Sequence, residues 1–108
     1  MIGIWDRISD AIRKDGGEID PGTIENAKEL FVTVDFQIAE PVGIERGYWP
    51  TLQIDWDPGF QIEISADSYE FYDLRDGRFD VKAFKHNPGE TISTELLALM
   101  DKHLTKRR

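Results

Sequence analysis

Two alternating segments separated by Asp57-Pro58-Gly59 constrain the fold of this chain more than any other feature of its sequence. Apolar residues alternate with polar ones before the turn, over 52–56, and after it, over 60–64. Alternation with a period of two directs successive side chains to opposite faces of a strand. Proline followed by glycine supplies the turn between two such strands. The sequence therefore predicts a β-hairpin with one face in a core.

Further strands are predicted on both sides of this hairpin. A second hairpin runs from about 69–74 through a turn at Asp76-Gly77 and returns over 79–83, with Phe79, Val81 and Ala83 forming its apolar pattern. The alternation over 30–38 is strict and predicts another strand, in which Val32 points to the same side as its apolar neighbours. A segment that includes Tyr48-Trp49-Pro50 fits a strand start or an exposed edge because proline cannot donate a ladder hydrogen bond.

Helical spacing marks both ends of the chain. The apolar residues of 4–12 recur every three or four positions, which predicts a short amphipathic helix that ends at Gly16-Gly17. Near the carboxyl end, Ser93 can cap a helix whose apolar stripe lies within 96–104. The predicted class is therefore α+β, an antiparallel sheet of four to five strands with the N-terminal and C-terminal helices packed on one face.

Composition places the chain among small globular domains. Its 108 residues are 40% hydrophobic, enough for one core, so 1–108 is predicted to be a single domain. The sequence has no cysteine, which excludes disulfides and thiol nucleophiles and fits a reducing compartment. The longest apolar run, 96–100, is too short for a membrane span, and Asp6 and Arg7 interrupt any signal-peptide pattern. We therefore expect a cytoplasmic protein.

No catalytic signature emerges from the reactive residues. The two histidines, His86 and His103, lie in no recognisable metal spacing, and a structural role is the simpler interpretation of both. Asp55, Asp57 and Glu63 could instead perform acid–base chemistry or hold a divalent cation, so a carboxylate-based metal-dependent hydrolase stays an alternative. The prediction is a protein without enzymatic activity, cofactor or metal.

The density of acidic residues points to a protein partner. The chain carries a net charge of −8. From Asp55 to Asp80 the sequence contains eight acidic residues and only two basic ones, Arg75 and Arg78. Like charge gathered on one surface costs stability, repels nucleic acid and attracts basic proteins. Tyrosine and tryptophan are common anchors at protein interfaces. The predicted partner-binding residues are Asp55, Asp57, Glu63, Asp67, Glu70 and Asp73, with Tyr48, Trp49 and Tyr69 as aromatic anchors.

Three features carry a resemblance to a known group of proteins. They are Trp5 early in the first helix, the hairpin Trp56-Asp-Pro-Gly59 followed by Ile62-Glu63-Ile64, and the terminal helix Glu95-Leu-Leu-Ala-Leu-Met. In these features the chain resembles the immunity proteins of bacterial polymorphic toxins and contact-dependent growth inhibition systems, in particular the TriTu-type family. The resemblance implies a non-catalytic protein that binds a cognate toxin domain, often a nuclease, and blocks its active site or substrate surface.

The oligomeric state allows a further alternative. An inhibitor of this type is expected to be a monomer or a weak homodimer. A homo-oligomeric structural or phage accessory protein would instead pair an exposed strand edge, with Pro50 marking where the pairing stops.

Overall fold

The computed structural model describes residues 3–15, 19–34, 37–46 and 51–105. Three helices and five strands follow one another in the order α1, α2, β1 to β5 and α3, with a short 3₁₀ turn between β4 and β5. The helices are α1 (Ile4–Asp15), α2 (Pro21–Val34) and α3 (Thr94–Leu104); the strands are β1 (Gly43–Arg46), β2 (Leu52–Trp56), β3 (Phe60–Ile64), β4 (Ser68–Asp73) and β5 (Asp80–Lys85); the 3₁₀ turn is Arg75–Gly77.

The five strands form one antiparallel sheet in which neighbours in sequence are neighbours in space. In β2 and β3 every second residue is buried, and these side chains all lie on the face that the helices cover. Phe31 of α2 stacks on Trp56 at 6.2 Å, and His103 of α3 lies 4.7 Å from the ring of Phe60. The predicted α+β class, with terminal helices on one face of an antiparallel sheet, is confirmed.

Both hairpins lie where the sequence predicts them. Trp56 pairs with Phe60 around the first turn, and Asp73 pairs with Asp80 around the second. The second turn requires positive φ at Asp76 and Gly77, which favours aspartate and glycine. The predicted cap of the last helix is also present, since the Ser93 hydroxyl accepts a hydrogen bond from the backbone N–H of Leu96.

The strand predicted over 30–38 is wrong, because residues 30–34 are the last part of helix α2 and Ile38 forms only an isolated bridge with Thr105; residues 35 and 36 lie outside the described ranges. Ala27, Leu30, Phe31 and Val34 are buried at helical spacing, whereas Val32 is 57% exposed. Two periodicities coexist in these residues, and the start of the segment decides between them. Pro21 occupies the first helical position, and Asp20 before it accepts a hydrogen bond from the N–H of Gly22 at 2.7 Å.

Two other segments differ from the predictions. The connection after Pro41 contains the edge strand β1, which the sequence pattern does not reveal. Phe79, just before β5, and Val81 within it belong to the apolar pattern predicted for the returning strand, but they are 75% and 39% exposed. Asp80, Lys82 and Phe84 of β5 pair with the inward residues of β4, and of these three only Phe84 is partly buried. The predicted strand start at 48–50 lies outside the described residues.

Candidate interaction surface

The sheet has a second face that no described helix covers, which we call the open face. The strand register arranges its side chains in rows that run across the sheet. One row consists of Glu45, Gln53, Glu63, Glu70 and Ala83, and the next of Gly43, Asp55, Gln61, Tyr72 and Val81. The two rows place four carboxylates on one surface. Lys85 is the only lysine or arginine that the register places on this face in the described chain.

Glu63 and Glu70 are directly opposite each other on β3 and β4. Like charges in this position destabilise a sheet, and two hydroxyl groups lie against them. The Tyr72 hydroxyl is 3.2 Å from Glu70 Oε1 and 3.4 Å from Glu63 Oε1, while the Thr51 hydroxyl donates to Glu63 Oε2 at 2.5 Å. Burial, followed by the charges of Glu70 and Glu63, raises the pKa of Tyr72 to about 12. The phenol therefore stays protonated and can donate to one carboxylate at a time.

The remaining carboxylates of the open face are linked through one amide. Gln53 Nε2 lies 3.3 Å from Glu45 Oε1 and 3.3 Å from Asp55 Oδ2. Gly43, opposite Asp55, leaves little space, since an added Cβ would approach Asp55 Oδ2 to 3.2 Å. The amide is neutral, so this network orders the two carboxylates without cancelling their charge.

An exposed apolar group adjoins the acidic rows at the β5 edge. Phe79 packs edge-to-face on Tyr72, with 5.9 Å between ring centroids, and Val81 pairs with Tyr72 across β4 and β5. The phenylalanine is the most exposed large hydrophobic residue in the described part of the chain, at 75%. The predicted partner-binding set left out Phe79, Tyr72, Val81 and Glu45. An apolar residue placed immediately after a turn, at the start of the last strand, was the available signal.

The predicted acidic residues fall into three groups. Asp55, Glu63 and Glu70 share the open face, whereas Asp57 and Asp67 are exposed in turns at opposite ends of the strands. Asp57 belongs to the β2–β3 turn. Asp67 belongs to the β3–β4 turn, where its carboxylate accepts from the Ser65 hydroxyl at 2.9 Å. The two turn residues therefore flank the surface at its two ends.

Asp73 was predicted as a partner-binding residue and is instead neutralised within the chain. It has the same strand parity as the buried Phe71, so its side chain lies on the helix-covered side of the sheet. Arg75 donates to both of its carboxylate oxygens, at 3.0 and 2.9 Å, and Arg78 lies 3.6 Å away. Hydrogen bonding by Arg75 holds the pKa of Asp73 well below its usual range. Arg75 also stacks over the ring of Phe60, which fixes its position.

The aromatic anchors require a second correction. Tyr69 has no exposed surface, and its hydroxyl donates to the backbone carbonyl of Asn26 at 2.6 Å. Burial, with a smaller contribution from Glu29, raises its pKa. It is a core residue that joins β4 to α2, because the alternation of β4 directs it inward. Tyr48 and Trp49 lie outside the described residues.

Both histidines have structural contacts. His86 is 2% exposed and lies 3.0 Å from Glu29 Oε1, and the other oxygen of Glu29 accepts from the N–H of Gly89. Through these two contacts Glu29 links the loop that follows β5 to helix α2. His103 packs on Phe60, and burial lowers its pKa. Over the described ranges, no group of three or more His, Cys, Asp or Glu side chains is arranged to hold a metal ion.

Comparison with protein-family models, with curated proteins and with solved structures gave no match. In the part of the chain that the structure describes, no helix combines the length and the apolar character needed to cross a bilayer.

Proposed function

We propose that this chain is a non-catalytic inhibitor of the immunity-protein type, which binds a basic protein domain through the open face of its sheet. The expected partner is a cognate toxin domain, such as a nuclease, whose nucleic-acid-binding surface is positively charged. An inhibitor of this kind acts in the cytoplasm, which the lack of cysteine in the sequence fits.

One observation carries the proposal, namely the uncancelled charge of the open face. Within the described strands, Glu45, Asp55, Glu63 and Glu70 share this face with a single lysine, Lys85. Four carboxylates elsewhere in the described chain do lie beside cations: Asp10 with Arg13 and Lys14, Glu40 with Arg7, Asp73 with Arg75 and Arg78, and Glu95 with Lys82. The carboxylates of the open face contact hydroxyl and amide groups instead. An acidic surface that the chain does not neutralise supports a cationic partner.

The charged and the apolar residues of this surface contribute to different stages of binding. Four carboxylates attract a basic domain over several ångströms and occupy positions that phosphates would otherwise take. Phe79, Val81 and Tyr72 add apolar area beside them, which slows dissociation once the surfaces meet. Inhibition follows because the partner cannot bind nucleic acid and this chain with the same surface.

The test is binding to the product of the neighbouring gene, measured by calorimetry and by association kinetics at two salt concentrations. Glu63→Gln with Glu70→Gln removes two charges from the open face. Glu25→Gln with Glu90→Gln removes two exposed charges elsewhere and is the matched control. We expect the first pair to lower affinity at least tenfold, mostly through slower association, and to weaken the salt dependence. Equal effects of the two pairs, or no binding at low salt, would refute the proposal.

A further inference from the structure

Among the described strands, β5 forms a free edge of the sheet. Five of its six residues are exposed, and only Phe84 is partly buried. The opposite edge differs, because Gly43 and Ile44 of β1 lie beside Arg7 and Ala11 of α1 in one surface groove. Unpaired backbone groups along a strand edge are a template for a further strand.

The hydrogen bonds around β4 show which groups of β5 are available. The N–H of His86 donates to the carbonyl of Asp67 at 2.9 Å, so these two residues form a hydrogen-bonded pair. Such pairs alternate along an antiparallel ladder, and the next ones join Tyr69 to Phe84 and Phe71 to Lys82. The N–H and C=O groups of the residues between them therefore point away from β4. These residues are Val81, Ala83 and Lys85.

The side chains of the same three residues lie on the open face. Val81 adjoins the exposed Phe79 and Tyr72, and Ala83 is directly opposite Glu70. Neighbouring strands are about 4.8 Å apart, so a residue paired with Ala83 from outside lies two strand spacings from Glu70. Alanine is small enough for a long side chain to pass over it. An arginine or lysine at that position can reach the Glu70 carboxylate.

We propose that the β5 edge binds an extended segment of the partner protein as a sixth, antiparallel strand. Opposite Lys85, Ala83 and Val81, this segment presents an acidic, a basic and an apolar side chain in that order. The inference rests on the proposed function, since the charge of Glu63 and Glu70 selects the basic residue. A second copy of this chain fits less well, because each copy carries a net charge of −8.

The probe is the capped peptide Thr-Glu-Thr-Arg-Thr-Ile-Thr, in which alternate threonines favour an extended backbone. We expect it to shift the amide resonances of Val81, Ala83 and Lys85 in heteronuclear NMR spectra and to slow their hydrogen exchange. Replacing its arginine by glutamate should weaken binding at least tenfold. In the protein, Glu70→Gln should weaken binding several-fold, whereas Glu25→Gln, with the same change of charge, should leave it unchanged.

Two forms of the peptide test strand addition without altering the protein. In an antiparallel pair the arginine N–H faces β5, so methylating this nitrogen should abolish binding. Methylating the nitrogen of the following threonine, which faces away, should not. Equal binding of the two forms, or no binding of the parent peptide, would overturn the inference. The proposed function would still hold after that result if the Glu63/Glu70 double variant bound the partner domain more weakly than the control double variant. Dimerisation of the chain alone through β5, seen by sedimentation, would also overturn it.

Discussion

Substitutions at two adjacent positions of α2 test the helix that replaced the predicted strand. Phe31 has no exposed surface, and its ring stacks on Trp56 in the core. Val32, the next residue, is 57% exposed. A strand with the predicted alternation would reverse these roles and bury the valine. Val32→Ala and Phe31→Ala should therefore have very different effects on the free energy of unfolding.

The structure sets the size of each effect. Val32→Ala removes two carbons that are more than half exposed, at a cost below about 0.8 kcal/mol when a buried CH₂ is worth about 0.8 kcal/mol. Alanine regains about 0.5 kcal/mol through its higher helix propensity. The net change should stay within about 0.5 kcal/mol. Phe31→Ala empties a buried site and should cost about 3–5 kcal/mol. If Val32 were buried in a strand, its truncation would cost about 2 kcal/mol with the cavity included.

Urea unfolding followed by tryptophan fluorescence measures both variants. The dependence of the unfolding free energy on urea should match wild type, which shows that the unfolded states are comparable. Phe31→Leu, with an expected cost of about 1.5 kcal/mol, replaces the alanine variant if that protein does not fold. A loss of about 2 kcal/mol in Val32→Ala with a small loss at Phe31 would refute the helical assignment.

Three further predictions concern single contacts. Ser93→Ala removes the hydroxyl that caps α3 at the N–H of Leu96 and should cost about 1 kcal/mol in thermal or urea unfolding. Folding lowers the pKa of Asp73, so the stability that the ionised carboxylate adds to the folded state is complete above the ordinary pKa of 3.8 and is lost as pH falls through the folded value. The difference in unfolding free energy between wild type and Asp73→Asn should therefore shrink below pH 3.8. Folding raises the pKa of Tyr72 from 10.0 to about 12, so the stability that the protonated phenol adds to the folded state is complete below pH 10 and is lost between pH 10 and about 12. Glu70→Gln should lower that pKa, measured by tyrosinate absorbance, and an unchanged titration would contradict the contact.

The elements that sequence predicted correctly are those in which local chemistry and tertiary packing agree. The hairpin around Asp57-Pro58-Gly59 combines alternation on both sides with a proline-glycine turn between them. The last helix combines a Ser93 cap with apolar residues at helical spacing. Both signals are contained within about a dozen residues. No contact with a distant segment is needed to recognise them.

The sequence prediction was wrong in the type of one element and in the orientation of another. In 30–34 the apolar residues satisfy both a period of two and a helical period, and only the start of α2 at Pro21 distinguishes them. At β5 the more apolar set of side chains lies on the open face, where Phe79, just before the strand, and Val81 within it flank Tyr72. Whether a strand lies at the edge of the sheet depends on strand order, which the residues of that strand alone do not determine.

The candidate surface was predictable in its charge but not in its composition, for a geometric reason. Glu70 and Asp73 are three residues apart on β4, and an odd separation along a strand places them on opposite faces of the sheet. Glu70 therefore meets Glu63 and a neutral phenol, whereas Asp73 meets two guanidinium groups. A count of acidic residues treats the two as equal. Their opposite electrostatic environments follow from strand parity and register, which also bring Glu45 into the surface from a strand that sequence did not reveal.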